Sequence, residues 1–280
     1  MKTLNLPEID AQVAESIRED LGGGDISAAL IDAAQFAQAQ VKGREAAVVC
    51  GIPWANSVFK QIDPTVELTW LVKEGEKVQP NQIWLQLNGR ARSLLSGERC
   101  ALNWLQTLSG VATRVSQFIS ALSATHTQLL DTRKTIPGLR AAQKYAVRIG
   151  GGTNHRMGLF DAYLIKENHL MSCGSITRAV AVARQQHPGK LVEVEVENLA
   201  QLDEALIAQV DMVMLDNFQL PEIEQAVQRT NKRAKLEVSG NIHLNNIRQI
   251  AATGVDYISV GALTKHINAI DLSMRFQLEM

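Results

Sequence analysis

Apolar positions follow three successive rhythms along the chain. Over residues 7–21, Ile9, Val13, Ile17 and Leu21 return every four residues, which predicts a helix. Pro7 suits its first turn, Glu8 and Asp10 lie near its positive end, and Gly22 to Gly24 stop it. Residues 39–90 change to short β-like pieces, AAVVCGI, VELTWLV and QIWLQL, parted by the turn signals KEGEKVQPN and NGR. From Ser93 a helical period resumes. Leu102, Leu105, Leu108, Ala112 and Val115 cover one face, while Arg99, Asn103, Gln106 and Gly110 share another. By pattern alone that second face is a solvated polar strip.

Beyond residue 129 strands and helices alternate. QLLDT, AYLIK, VEVEVE, MVMLD, LEVSG and YISVG read as strands. Between them LRAAQKYAVRI, SITRAVAVARQQH, LAQLDEALIAQ, LPEIEQAVQRTN and LNNIRQIAATG read as helical. Alternation on a spacing of roughly 20–30 residues predicts βαβ units and a parallel sheet. A closed or nearly closed barrel is favoured over a doubly wound sheet by the character of the strand ends. VEVEVEN carries the most information. Its alternation puts Val192, Val194 and Val196 on one face and Glu193, Glu195 and Glu197 on the other. If the valines meet outer helices, the glutamates face the barrel interior and need cations such as Arg133, Lys134, Lys166 or a bound Mg2+. The alternative is an edge strand with solvated glutamates.

Composition narrows the class. A chain of 280 residues suffices for one barrel or for two smaller domains with full cores. With 46% hydrophobic and 20% charged residues it has the balance of a globular protein. A net charge of −1 argues against a general attraction to nucleic acid or anionic membranes. Cys50, Cys100 and Cys173 form no CxxC pair, which disfavours a disulfide framework or a zinc site. The start MKTLNLPEID has no apolar leader core, and no run approaches the ~18 apolar residues of a membrane span. A cytoplasmic protein is expected.

Candidate chemistry gathers at the strand ends: Asp131, Arg133 and Lys134; Lys166 and Asn168; Glu195 and Glu197; Asp216 and Asn217; Ser239, Gly240 and Asn241; and Gly261. A parallel barrel brings such positions to one rim. Cations in RIGGGTNHRMGLFDAYLIKENH, namely His155, Arg156 and Lys166, with Arg133, favour a carboxylate-bearing ligand. Glu195, Asp216 and the small residues of VSGNIHLNN and VGALTKH favour a magnesium-bound phosphorylated sugar. His126, His187 and His243 are read as background.

Taken together, DTRKTIPGLRAAQKYAVRIGGGTNHRMGLFDAYLIKENH, EDLGGGDIS, GERCALNWLQTLSGVATR, VEVEVEN, MLDNF, LEVSGNI and ISVGALTK resemble the quinolinate phosphoribosyltransferase family in order and spacing over nearly the whole chain. The resemblance implies an N-terminal α/β sandwich over residues 1–110, joined by a C-terminal tail at 271–280, and an incomplete α/β barrel over 111–270. It implies conversion of quinolinate and phosphoribosyl pyrophosphate to nicotinate mononucleotide, CO2 and pyrophosphate, with Mg2+. By resemblance Arg99, Thr132, Arg133, His155, Arg156 and Lys166 hold quinolinate, Arg99 reaching a neighbouring subunit's site in at least a homodimer. Lys134, Glu195 and Asp216 serve phosphoribosyl pyrophosphate and its metal, largely through substrate and water. Ser239, Gly240, Asn241, Val260, Gly261 and Ala262 hold phosphate. Lys134, Lys166, Glu195 and Asp216 form the implied catalytic set. Departures from the family pattern are slight: Ser27 and Cys100 stand where threonine is frequent, and Asn241 where glycine is.

Three other readings stay open on the sequence. A related transferase could use nicotinate, or be the paralogue associated with molybdenum transport. A barrel lyase could use Lys134 or Lys166 as a Schiff-base nucleophile. A non-catalytic anion-binding barrel would bind and release its ligands unchanged.

Overall fold

The computed structural model describes residues 6–277. In chain order the first half contains α1 (Leu6–Leu21), β1 (Phe36–Gly43), β2 (Ala47–Val48), α2 (Ile52–Ile62), β3 (Glu67–Trp70), β4 (Lys77–Val78), β5 (Ile83–Arg90), α3 (Ala91–Ala121), β6 (Gln128–Leu130) and α4 (Arg140–Ile149). There follow β7 (Tyr163–Ile165), α5 (Glu167–Cys173), α6 (Ile176–Gln186), β8 (Val192–Val196), α7 (Leu199–Ile207) and β9 (Met212–Asp216). The chain continues through α8 (Leu220–Thr230), β10 (Lys235–Ser239), α9 (Ile247–Ala252), β11 (Tyr257–Ser259), α10 (Ala262–Lys265) and β12 (Leu272–Gln277). The chain packs as two units. One takes residues up to Arg114, then Ala141–Gly150, then His266 onward; the other takes Val115–Arg140 and Gly151–Lys265.

The first unit is built on a four-stranded antiparallel sheet in the order β12-β1-β5-β3, with a separate antiparallel pair β2-β4. In β1, Ala37, Ala39 and Val41 alternate with more exposed neighbours, as a half-buried strand requires. Trp54 and Phe59 of α2, Trp84 and Leu85 of β5, and Leu102, Leu105 and Leu108 of α3 are fully buried. Each such side chain stabilises the fold by roughly 1.5–3 kcal/mol. Gly110 departs from the solvated strip expected of its helix face. A Cβ there would overlap the Asn268 carbonyl oxygen, so the glycine lets the returning chain run against α3.

In the second unit all six expected strands form, as one parallel sheet ordered β6-β11-β10-β9-β8-β7. The order never reverses, which sets it apart from a doubly wound sheet. Its edges β6 and β7 are consecutive in sequence, so the barrel stays open between them. Thr153 partly lines that gap: its N–H donates to the Leu129 carbonyl at 2.8 Å, and its own carbonyl accepts from Asp131 N at 3.2 Å.

VEVEV explains how the sheet is covered. Val192, Val194 and Val196 are fully buried on a strand that packs against α6 and α7, which leaves the glutamates on the inner face. β8 has neighbours on both sides, so the edge-strand reading fails. The helices begin where polar caps allow. Ser175 accepts the Arg178 N–H at 3.1 Å and Asn198 accepts the Gln201 N–H at 3.0 Å. α4 forms between β6 and β7, as its pattern predicts, but it packs with the first unit. α5, which starts directly after Lys166, was not foreseen; its ENHLMSC sequence buries no residue and so carries no apolar stripe.

Candidate active site

Because the six strands are parallel, their C-terminal ends open on one side, around a cleft of about 610 Å³. Thr132, Arg133 and Lys134 follow β6, and Leu164 and Lys166 come from β7 and its end. Glu195 comes from β8, Met214, Asp216 and Asn217 from the end of β9, Glu237, Ser239, Gly240 and Asn241 from that of β10, and Ser259 from β11. His155 and Arg156 enter on the loop after Thr153.

The turns at the rim are interlocked. Lys134 N donates to the Thr132 hydroxyl at 3.0 Å, and the Lys134 carbonyl accepts from the Thr264 hydroxyl at 2.8 Å. Asn217 has a left-handed backbone (φ 57°), and its N–H donates to the Ser239 carbonyl at 3.0 Å. Asn217 Oδ1 in turn accepts from Asn241 Nδ2 at 3.3 Å. At Gly240 (φ 98°) a Cβ would overlap that same Asn217 oxygen, so glycine is required by both conformation and space. Of the three glycines leading to Thr153, Gly151 alone has a positive φ, 96°.

The charges are incompletely matched. Lys166 Nζ pairs with Glu195 Oε2, and Asp216 accepts from Asn217 Nδ2 at 2.9 Å. Arg133 buries its Nε with no acceptor. Half-buried Arg156 donates to the Ala162 carbonyl at 3.5 Å; burial first, and then repulsion from Arg133, hold its guanidinium below the ordinary arginine value. Two guanidinium groups that repel one another in a cleft, one with a shielded donor, make a receptor for an acidic ligand.

Beneath them lies a buried acidic pair. Glu193 and Glu237 are both 0% exposed, and His155 Nε2 approaches them at 2.9 Å and 3.3 Å. These are ion-pair distances without hydrogen-bond alignment. Burial opposes charge on His155, but the two carboxylates outweigh it and push the imidazole up to about 10. Burial, then the neighbouring Glu237, push Glu193 up to about 7. His155 Nδ1 accepts the Arg156 N–H at 2.7 Å, which favours the neutral ring and so opposes the carboxylates. In both protonation states Nε2 carries a hydrogen toward the glutamates. The ligand atoms of the trio lie within 4.8 Å of one another, close enough for a cation, yet Nε2 offers a hydrogen there and no lone pair. Asp131, also fully buried, accepts from the His155 backbone N–H at 2.9 Å and from the Asn154 side-chain amide.

Twelve of the residues singled out in the sequence therefore line this cleft: Thr132, Arg133, Lys134, His155, Arg156, Lys166, Glu195, Asp216, Asn217, Ser239, Gly240 and Asn241. Val260, Gly261 and Ala262 are not among the lining residues. Val260 is buried with its N–H committed to the Leu130 carbonyl at 3.0 Å, and a Cβ on Gly261 would come within 2.8 Å of Lys134 Cδ. Arg99 lies on α3 in the first unit, exposed. Glu237, Ser259, Leu164 and Met214 were not singled out. Glu237 had a signal: in LEVS, as in VEVEV, a glutamate alternates with apolar residues two positions before a polar strand end.

Fold and site together define an open α/β-barrel protein whose strand ends gather arginines and lysines beside the carboxylates of Glu195 and Asp216. The chain belongs to the quinolinate phosphoribosyl transferase family: the family's C-terminal domain matches residues 111–275 and its N-terminal domain residues 25–109. A probable nicotinate-nucleotide pyrophosphorylase [carboxylating] of Synechocystis sp. is 41% identical over 271 residues, covering 95% of this chain and 92% of the relative. The nicotinate-nucleotide pyrophosphorylase [carboxylating] of Mycobacterium leprae is 39% identical over 269 residues, 94% and 95% of the two chains. Among solved structures, the nicotinate-nucleotide pyrophosphorylase from Francisella tularensis superposes with a TM-score of 0.95 at 50% identity, over 98% of each chain.

Proposed function

We propose that the protein transfers the phosphoribosyl group of phosphoribosyl pyrophosphate to quinolinate with decarboxylation, yielding nicotinate mononucleotide, CO2 and pyrophosphate in NAD biosynthesis. The observation that carries this reading is the Arg133–Arg156 pair, whose mutual repulsion and shielded donor call for a ligand bearing more than one carboxylate. Quinolinate is a pyridine dicarboxylate and meets that demand. The near-complete coverage of the carboxylating relatives supports the same reaction.

In this reading the pyridine nitrogen attacks the ribose C1 as the C1–oxygen bond to pyrophosphate breaks, through an oxocarbenium-like state. Lys134 binds the departing pyrophosphate, and Glu195 and Asp216 orient ribose hydroxyls and phosphate; positioning and charge supply most of the rate. The positive charge acquired by the ring nitrogen then lets the adjacent carboxylate leave as CO2. The electron pair stays on the ring carbon, and a proton from water restores the C–H bond. Arg133, Arg156 and Lys166 keep the ring oriented through its carboxylates, with Thr132 and His155 at the same end of the cleft.

Glu195 and Asp216 present carboxylate oxygens on neighbouring strands at the cleft, a donor set that fits Mg2+ holding most of its shell as water and phosphate. When bound, that ion would offset the charge of the pyrophosphate. Ser239, Gly240 and Asn241 would meet the phosphate end. The proposal includes a homodimer in which Arg99 of the partner subunit completes the acid pocket, and its exposure on α3 is compatible with that role. Among the described residues no helix is long and apolar enough to cross a membrane, which accords with a cytoplasmic enzyme.

The test is a Mg2+-dependent assay with phosphoribosyl pyrophosphate and either quinolinate or nicotinate, following CO2, pyrophosphate and mononucleotide together. Equimolar release of all three with quinolinate alone is expected. Turnover with nicotinate only would discard the substrate while keeping the fold.

A further inference from the structure

We propose that Glu193 and Glu237 are positioning residues for recognition of the acid substrate: through the His155 ring they set the Arg156 backbone, and with it the guanidinium that meets a ligand carboxylate. The inference rests on the quinolinate reading above.

Three observations lead there. First, the pair is costly. Two carboxylates at 0% exposure lack aligned hydrogen bonds, and apolar residues of similar volume would stabilise such a layer at least as well. Second, Arg156 enters on a loop with no regular structure to fix it. Asp131 takes the His155 N–H and the Asn154 amide and the glutamates take the His155 ring, while on the far side of Arg156 the Met157 carbonyl accepts from Arg140 and the Met157 and Gly158 N–H groups donate to Asp161. Third, the ring is used on both sides. Nε2 faces Glu193 and Glu237 while Nδ1 lies 2.7 Å from the Arg156 backbone nitrogen, so the ring sits between the glutamates and Arg156 and relays the position of β8 and β10 to it. Through this relay Arg156 stays close to Arg133 despite their repulsion, and Glu193 beneath, with Asp161, offsets part of it.

The experiment is steady-state kinetics of the full-length Glu237→Gln and Glu193→Gln proteins, with thermal midpoints recorded alongside. The expected result is a KM for quinolinate raised roughly 10-fold or more, since small displacements of an orienting group are felt strongly. The KM for phosphoribosyl pyrophosphate and kcat should stay within about 3-fold, because Lys134, Glu195 and Asp216 are untouched. In a His155→Asn background, Glu237→Gln should add little further, since both changes cut one relay. A folded Glu237→Gln protein with unchanged quinolinate KM would overturn the proposal. So would equal rises in both KM values, or full additivity with His155→Asn. If Glu237→Gln does not fold, Glu193→Gln and Glu237→Asp carry the same test, with the aspartate expected to recover part of the quinolinate affinity. Wild-type protein that releases no pyrophosphate from quinolinate and phosphoribosyl pyrophosphate would refute the reaction instead, so the two failures are distinguishable.

Discussion

The two ends of the same parallel sheet handle charge in opposite ways. At the N-terminal ends of the strands, charges balance locally. Arg184 pairs with Asp211 at 2.9 Å and Lys235 with Asp256 at 2.6 Å, while each aspartate also accepts a strand N–H, from Val192 and Leu236 respectively. At the C-terminal ends, Arg133 and Arg156 repel one another, and two glutamates are buried beneath a single histidine. Both ends use ordinary ionisable side chains on ordinary strands. The difference is that one end is complete by itself, while the other leaves cations unmatched, as the proposed function requires of a site for an anionic substrate. Unmatched charge, rather than charge, marks the working end.

Substitutions at the two ends should separate sharply. Lys134→Ala should lower kcat by roughly 10²–10³-fold, the scale of losing one charge stabiliser of a transition state, with the thermal midpoint unchanged. Near-normal turnover would remove Lys134 from the proposed role. Arg133→Ala should raise the quinolinate KM by about 10–100-fold, the loss of one charge-assisted contact, and relieve the repulsion on Arg156. A rise in the phosphoribosyl pyrophosphate KM alone would reassign Arg133 to the other substrate. Gly240→Ala should cost about 1–3 kcal/mol in denaturant unfolding, because the new methyl meets Asn217 at a backbone angle that alanine disfavours. An unfolding midpoint equal to wild type would mean that the β9 and β10 turns relax without penalty. At the other end, Asp256→Asn should cost at most about 1 kcal/mol, since its lysine partner is 60% exposed and well screened, and should leave kcat and both KM values unchanged. A kinetic effect there would break the division between the two ends.

Much of this division was legible in the amino-acid sequence, because period and parity report directly on strands and faces. The six barrel strands announce themselves as short apolar runs with polar ends, and VEVEVE states which side is inside. What stayed hidden depends on neighbours far along the chain. His155 reads as a ligand contact, yet its ring is engaged by Glu193 and Glu237 from two other strands, a relation set by three-dimensional pairing. Glu237 sits in a strand with one acidic residue, too short a pattern to stand out, although it follows the same parity as Glu195. Gly110 looks like part of a polar face because the segment it admits, at Asn268, lies 158 residues away. The openness of the barrel is likewise a matter of which strands pair. No local pattern says that β6 and β7 will not.

The strand order of the first unit also sets a timetable for its assembly. β1 lies between β5 and β12, and its residues Gln38 to Gly43 pair with Gln277 to Leu272. During synthesis β5 follows β1 closely, but β12 emerges only after the whole barrel sequence. Throughout that interval one side of β1 presents backbone groups that β12 will later satisfy. A nascent chain is thus exposed to strand-to-strand association until β12 has emerged, and a protein cut short after Ile270 would retain the whole barrel sequence while leaving that edge bare.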